Sequence, residues 1–262
     1  MTQEAKNIAS EYRGYAQAFQ GESVVQAYHF RAPYPSETFA LLAGLIRPGE
    51  PSHVLDVGCG TGNIARHLVE RVDRIDAVDF SQQMIEQGKR LPNGDHPHLR
   101  WLYGRVEDAT LDPPYALVTA GESLHWMDWG IVMPRFHEIL MKDGYLAIVA
   151  THTIPDPWSP LGEILPRYRT DRYQGQPDDT QQQSLFQKVG ECTTRPITFV
   201  QSLDDFIESF HSRAGFSRER MGQAQATAFD QEAKKILLKS YSDGTITFQV
   251  TARIVWGFPG GH

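Results

Sequence analysis

Three glycines alternate at Gly58, Gly60 and Gly62, directly after the run Val54-Leu55-Asp56-Val57. A chain that must turn sharply and let a ligand approach bare backbone needs residues without a Cβ at such points. Beyond the turn, Ile64, Ala65, Leu68, Val69 and Val72 recur at helical spacing. A helix start there offers N–H groups and the positive end of a dipole. Asp79 ends the next apolar run, 21 residues past the first glycine. A carboxylate at that distance is placed to accept hydrogen bonds from ribose hydroxyls. Strand, glycine turn, helix, strand and acid, in this order, point to a nucleoside-bearing cofactor.

The elements that must position these groups alternate along the chain. His53–Val57, Arg74–Val78, Leu99–Tyr103, Ala116–Ala120 and Tyr145–Ala150 read as five strands. A helix opens at Ser81, and Ile131–Leu140 carries a stripe of Ile131, Val132, Phe136, Ile139 and Leu140, with Asp143-Gly144 as its stop signal. Strands alternating with helices predict parallel βαβ units and an α/β, Rossmann-like, doubly wound sheet. Arg195–Gln201 reads as a sixth strand, and Thr245–Trp256, entered through Asp243-Gly244, as an antiparallel seventh. Helical stretches are expected around 203–211 and 218–240, and residues 151–194 show no strong strand. The expectation is one domain over 1–262. Its core is about 47–150 plus 195–202 and 245–258, and a mainly helical cap comes from 1–46, 151–194 and 203–240. The first cap segment is rich in aromatics, with Tyr12, Tyr15, Phe19, Tyr28 and Phe30.

Composition narrows the function classes. A chain of 262 residues with 40% hydrophobic and 22% charged residues can bury one substantial core. The formal charge of −7 argues against tracking a phosphate backbone, which calls for a basic face. Cys59 and Cys192 are the two cysteines, and a disulfide at Cys59 would obstruct the glycine turn, so a reducing, cytoplasmic setting is expected. No stretch approaches the roughly 18 apolar residues of a membrane span. Asp95-His96-Pro97-His98 supplies two histidines without a completing ligand set, so no metal is expected.

The motif Asp56-Val57-Gly58-Cys59-Gly60-Thr61-Gly62 resembles that of class I S-adenosylmethionine (SAM)-dependent methyltransferases, in particular the type 11 group that includes trans-aconitate methyltransferases. The likeness extends to Tyr28 and Arg31-Ala32-Pro33-Tyr34-Pro35, to Gly104-Arg105-Val106-Glu107, to Ser123-Leu124-His125-Trp126-Met127-Asp128 and to Lys142-Asp143-Gly144-Tyr145-Leu146. The resemblance implies that Asp56 and the glycines hold the methionine end of SAM and Asp79 the ribose. Phe80 and Met84 would flank the adenine, whose edge would meet Val106 and Glu107. Arg105 stands where many members place an acid, and Glu107 is the candidate replacement. Arg31 is the candidate partner of the methionine carboxylate, or else a surface arginine paired to an acid. Tyr28 and Trp126 would face the sulfonium or serve as packing.

A sulfonium methyl is already activated, so the protein's tasks are in-line positioning and exclusion of water. A base is needed only where the acceptor must lose a proton. His125 is the first candidate for that role or for orienting the acceptor, with a wall histidine as the alternative, and Glu122 beside it is a second catalytic candidate and a cofactor-binding one. Trp158, Tyr168, Tyr173, Phe206 and Phe210 would suit an apolar small-molecule acceptor, whereas Arg167, Arg169 and Arg172 would clamp an acidic one. The product would be S-adenosylhomocysteine. Asp112-Pro113-Pro114-Tyr115 spells a motif of DNA adenine methyltransferases but precedes its strand instead of following it, so nucleic acid is not the expected partner. Two other readings compete. An NAD-dependent oxidoreductase would want Gly-x-Gly-x-x-Gly, one residue longer than the spacing here, and a non-catalytic SAM-binding regulator would share the cofactor elements.

Overall fold

The computed structural model describes Gly14, residues 16–171 and residues 184–260. Tyr12, Tyr15, Arg172 and Tyr173 lie outside the described residues. The chain divides into two compact units. Unit 1 comprises residues 1–33, 153–175 and 196–250, and unit 2 residues 34–152, 176–195 and 251–262.

Unit 2 is built on strands β1 (His53–Val57), β2 (Arg74–Asp79), β3 (Leu99–Tyr103), β4 (Tyr115–Gly121) and β5 (Leu140–Ile154). Neighbours β3-β2-β1-β4-β5 pair in parallel. Their apolar residues sort by parity. Val54, Ile75, Ala77, Leu117, Ala147 and Val149 join one buried cluster. Leu55, Val57, Val78, Val118, Ala120 and Leu146 join another. Successive side chains of a strand point to opposite faces, so both faces of this sheet are covered, as the doubly wound reading requires. The strand order reverses between β1 and β4, and in such sheets the crevice at that switch point, outside the carboxyl ends, is where ligands bind.

The sheet departs from the expected seven strands. Residues Phe186–Thr193 form an additional strand, β6, which pairs antiparallel with the second half of β8 (Thr245–Pro259). Its alternation of half-buried and exposed residues belongs to an edge, where one covered face suffices and no continuous apolar run is needed. The Asp143-Gly144 signal does not end a helix either. The helix stops at Ile139, and β5 already begins at Leu140. Pairing jumps from Tyr115↔Leu140 to Leu117↔Tyr145, so Asp143-Gly144 lies in a bulge of β5. A Cβ on Gly144 would meet the carbonyl oxygens of Ala116 and Tyr115 at 3.0 and 3.1 Å, which accounts for glycine at this close approach. Ile131, expected on the apolar stripe, is 49% exposed, and Met133 is buried in its place.

Unit 1 holds short helices at Gln17–Gln20, Glu22–Ala27 and Tyr28–Phe30, strand β7 (Ile197–Ser202) antiparallel to residues 245–250 of β8, and the helices Leu203–His211, Arg218–Met221 and Gln223–Ser240. Gly222, with φ 77°, divides the last two where one helix over 218–240 was expected. Its core is aromatic, with Phe206, Phe210, Phe216, Phe229 and Phe248 among the buried residues.

Candidate functional site

The glycine turn leaves β1 with Gly58, Gly60 and Gly62 at φ 61°, 56° and 75°, all in the left-handed region that side chains disfavour. Space is as restrictive as torsion. A Cβ on Gly58 would lie 2.6 Å from the Cβ of Ser123, and one on Gly62 2.6 Å from the indole of Trp101. The Ser123 hydroxyl donates to the Val57 carbonyl at 2.6 Å, which ties the turn after β4 to the end of β1.

Asp79, at the end of β2, is 6% exposed. Its carboxylate accepts the Gly60 N–H at 2.7 Å and the Ser81 N–H at 2.8 Å, one on each oxygen. Ser81 also caps the helix Gln82–Lys89 by accepting the Met84 N–H. Burial pushes the Asp79 carboxyl above the usual carboxylate range, against the pull of these backbone donors. The Phe80 amide is a third backbone donor to it, so of the about four acceptor positions of an ionised carboxylate one is left for a ribose hydroxyl.

Asp56 lies in β1 and is 2% exposed. It accepts the Thr119 hydroxyl at 2.8 Å and the Ala65 N–H at 3.2 Å, joining β1, β4 and the helix start after the turn. Burial pushes its carboxyl up to about 7, partly offset by those two bonds, and the nearby Asp79 charge adds to the rise.

The remaining candidates of unit 2 collect at the same strand ends. Glu122 follows β4 with φ 51°, a conformation that costs a non-glycine residue energy and so marks a bend held by its surroundings. Its carboxylate accepts the Thr151 N–H at 2.7 Å and the Thr151 hydroxyl at 3.2 Å. His125 and Trp126 sit on the next turn, their rings 4.6 Å apart. Met84 and Val106 are buried and Phe80 is half-buried. Arg105 donates to Glu107 at 2.9 Å. The cation at the position where an acid was expected is thus neutralised by the acid proposed to replace it.

Tyr28, Arg31, Trp158, Tyr168 and Phe206 belong to unit 1. Arg31 donates to the Ser212 hydroxyl at 2.8 Å and the Ser212 carbonyl at 2.5 Å, and its guanidinium stands 4.3 Å from the Tyr28 ring centroid. Phe206 is 2% exposed, edge-on to Phe210 and Phe248. Trp158 lies against Phe210 and under Arg213. The Tyr168 hydroxyl donates to Glu232 at 2.8 Å. Within this unit their contacts are those of a packed aromatic core.

Residues 54–144 match the family profile described as "Methyltransferase domain". Residues 54–144 are a methyltransferase domain. The matched span contains the whole sequence from Asp56 through the glycines and Asp79 to the turn at 122–128. The profile is that of a methyltransferase, which leaves the nicotinamide alternative without support. The chain is similar to malonyl-[acyl-carrier protein] O-methyltransferases of Halalkalibacterium halodurans (33% identical over 30% of this chain and 31% of that protein) and Acetivibrio thermocellus (34% identical over 36% and 34%). It also resembles an uncharacterized methyltransferase of Mycobacterium tuberculosis, at 31% identity over 48% of this chain and 50% of that one. The chain therefore spans about a third of the length of the first two. Among solved structures, a protein from Anaeromyxobacter dehalogenans described as a type II methyltransferase aligns with TM-score 0.64 at 20% identity, covering 88% of this chain and 99% of that one. The YcgJ protein of Bacillus subtilis aligns with TM-score 0.55 at 14% identity, covering 87% and 100%. These likenesses establish the Rossmann-like methyltransferase fold.

Several residues of the methyltransferase domain's site were not singled out in the sequence. Thr119 and Ser123 hold its strand ends together, and Arg66 and Trp101 pack behind the glycine turn. Thr119 had a signal available, since it is a polar residue inside the apolar run of β4. Asp112-Pro113-Pro114-Tyr115 enters β4, as its position in the sequence suggested. Asp112 pairs with Arg74 at 2.5 Å, and the Tyr115 hydroxyl donates to Asp76 at 2.5 Å. No helix among the described residues is long and apolar enough to cross a membrane. No cluster of metal-ligating side chains occurs among them.

Proposed function

We propose that this protein is a SAM-dependent methyltransferase that passes the methyl group to a small-molecule acceptor by direct in-line displacement. The carrying observation is that the matched methyltransferase domain places a buried carboxylate, Asp79, with one oxygen on the glycine turn and acceptor capacity left over. That remaining acceptor fits a ribose hydroxyl. Asp79 would hold the ribose, and Phe80, Met84, Val106 and Glu107 would enclose the adenine. Gly58, Gly60 and Gly62 would let the methionine end lie against backbone, with Asp56 supplying negative potential for its ammonium. Glu122 is assigned to the same end through its place after β4. When bound, SAM supplies the activated methyl group. The protein's share of the reaction is to fix the line of attack and keep water away.

The acceptor we favour is a carboxylate, on the strength of the malonyl-[acyl-carrier protein] O-methyltransferases that the domain resembles. A carboxylate is already ionised near neutral pH, so no general base is required. His125 then serves to orient the acceptor, with Trp126 as its neighbour. We place the reaction in the cytoplasm, because Cys59 and Cys192 are both free thiols.

The test is calorimetric titration with SAM, S-adenosylhomocysteine and NAD, followed by transfer of labelled methyl to a panel of carboxylates and thioester-linked dicarboxylates. Saturable binding of the first two ligands and label in a base-labile methyl ester are expected. Binding of NAD alone would overturn the reading. In the same assay His125→Ala should raise the acceptor KM without moving the pH profile of kcat. Loss of an acid limb that wild type shows would instead make His125 a base.

A further inference from the structure

Behind the glycine turn lies a buried arginine to which neither the motif nor the family resemblance gives a role. Arg66 is 6% exposed, on the short helix Ala65–Leu68 that follows the turn. Its guanidinium reaches three oxygens, all neutral. Nε donates to the Thr61 carbonyl at 2.8 Å, Nη1 to the Pro92 carbonyl at 2.9 Å and Nη2 to Asn63 Oδ1 at 3.3 Å. The link is reciprocated, because the Asn93 amide donates to the Arg66 carbonyl at 3.0 Å from a left-handed backbone, φ 61°. Thr61 stands between two of the three glycines, where the backbone has the least steric guidance of its own. The same carbonyl is approached from the helix Gln82–Lys89, since a Cβ on Gly88 would meet the Thr61 oxygen at 2.8 Å. Trp101 fills the space between Gly62 and Gly88, and its indole N–H donates to the Gly94 carbonyl at 2.8 Å.

Burying a guanidinium costs solvation, and burial lowers the pKa of Arg66 from its ordinary value. What the charge brings is a rigid fork that holds three oxygens at once, a geometry that an ammonium on a flexible stem cannot reproduce. We propose that Arg66 is a positioning residue for the cofactor. By pinning the Thr61 carbonyl to segment 92–93, it fixes the peptide planes between Gly60 and Gly62. The proposal rests on the SAM reading above, which makes that backbone the bed of the methionine end.

The experiment compares wild type, Arg66→Lys and Arg66→Met by calorimetry with SAM and S-adenosylhomocysteine, alongside thermal unfolding of the ligand-free proteins. Arg66→Met should raise Kd for both ligands about tenfold or more, and Arg66→Lys should restore part of the affinity because it recovers one bond of the fork. Wild-type Kd in folded variants with only a lowered Tm would reduce Arg66 to a stabilising residue and overturn the proposal. Equal losses in the Lys and Met variants would do the same. Should both fail to fold, Asn93→Gly keeps the left-handed turn and removes the reciprocal amide bond together with a 3.3 Å bond from the same amide to Glu70. A Kd raised by a few fold supports the proposal there, and an unchanged one overturns it. Failure of the SAM reading itself is separately visible, because wild type would then bind neither ligand.

Discussion

At the scale of single residues, Asp79 is the group on which the cofactor assignment turns. Its two oxygens bond the Gly60 and Ser81 amides, so it has a structural task even before any ligand is present. Replacing it with alanine removes the ribose contact and the anchor of the turn together, which confounds the two. Asp79→Asn is the sharper variant, since its one amide oxygen can keep the Gly60 bond while the charge and one acceptor are lost. A charged hydrogen bond is worth about 1.5–3 kcal/mol, so the variant should bind SAM and S-adenosylhomocysteine roughly ten- to a hundredfold more weakly. Calorimetry reads the loss, and near-UV circular dichroism checks that the fold is kept. Unchanged affinity would place the ribose elsewhere.

At the scale of elements, what was legible in the sequence follows a physical rule. β1 was readable to the residue, because a strand buried on both faces gives a compact apolar run bounded by turn signals, and β3, though at the sheet's edge, kept Leu99, Trp101 and Leu102 as a short apolar run. The glycine turn and Asp79 were readable because they break that pattern at fixed spacing. The edge strand β6 was not, since one covered face leaves only a weak alternation. The Asp143-Gly144 bulge was misread because a bulge and a helix stop use the same residues. Arg66 was invisible, as nothing in a sequence shows that an arginine's partners come from a loop 26 residues on. Glycines illustrate the distinction between torsion and space. Gly49 and Gly58 share positive φ, 87° and 61°, but a Cβ on Gly49 meets nothing within 4 Å, whereas one on Gly58 collides with Ser123. Gly49→Ala should therefore cost about 1 kcal/mol of stability and leave SAM affinity alone. Gly58→Ala adds a steric clash at the joint of β1 and β4 and should cost about 2–4 kcal/mol together with most of the affinity. Urea unfolding and calorimetry on the pair would show it, and equal effects would mean that the turn tolerates movement.

At the scale of the whole molecule, the buried carboxylates under the glycine turn tie folding to pH. Asp56 is raised from 3.8 to about 7, chiefly by burial. A carboxyl whose pKa is raised on folding binds protons more tightly in the native state. Its favourable contribution is therefore full below the unfolded value and is lost as pH rises towards 7. The slope is at most about 1.4 kcal/mol per pH unit, which integrates to roughly 4 kcal/mol over the window. Asp79, raised in the same direction, adds to the trend. Carboxylates lowered on folding, such as Asp73 and Asp230, act oppositely at the acid end. Absolute stability curves therefore mix the signs, and a comparison isolates one. Asp56→Asn keeps an acceptor for the Thr119 hydroxyl and cannot ionise. The stability of wild type relative to this variant should fall steadily between about pH 4 and pH 7 and flatten above. Parallel unfolding curves across that window would show that Asp56 is already ionised in the native protein. The same charge gives the ligand-free protein a reason to await a cation. An ammonium brought beside Asp56 favours the carboxylate, so SAM binding near pH 7 should release a fraction of a proton in wild type and none in Asp56→Asn. Calorimetry in two buffers of different ionisation enthalpy measures that release, and its absence from wild type would separate Asp56 from the methionine end of the cofactor.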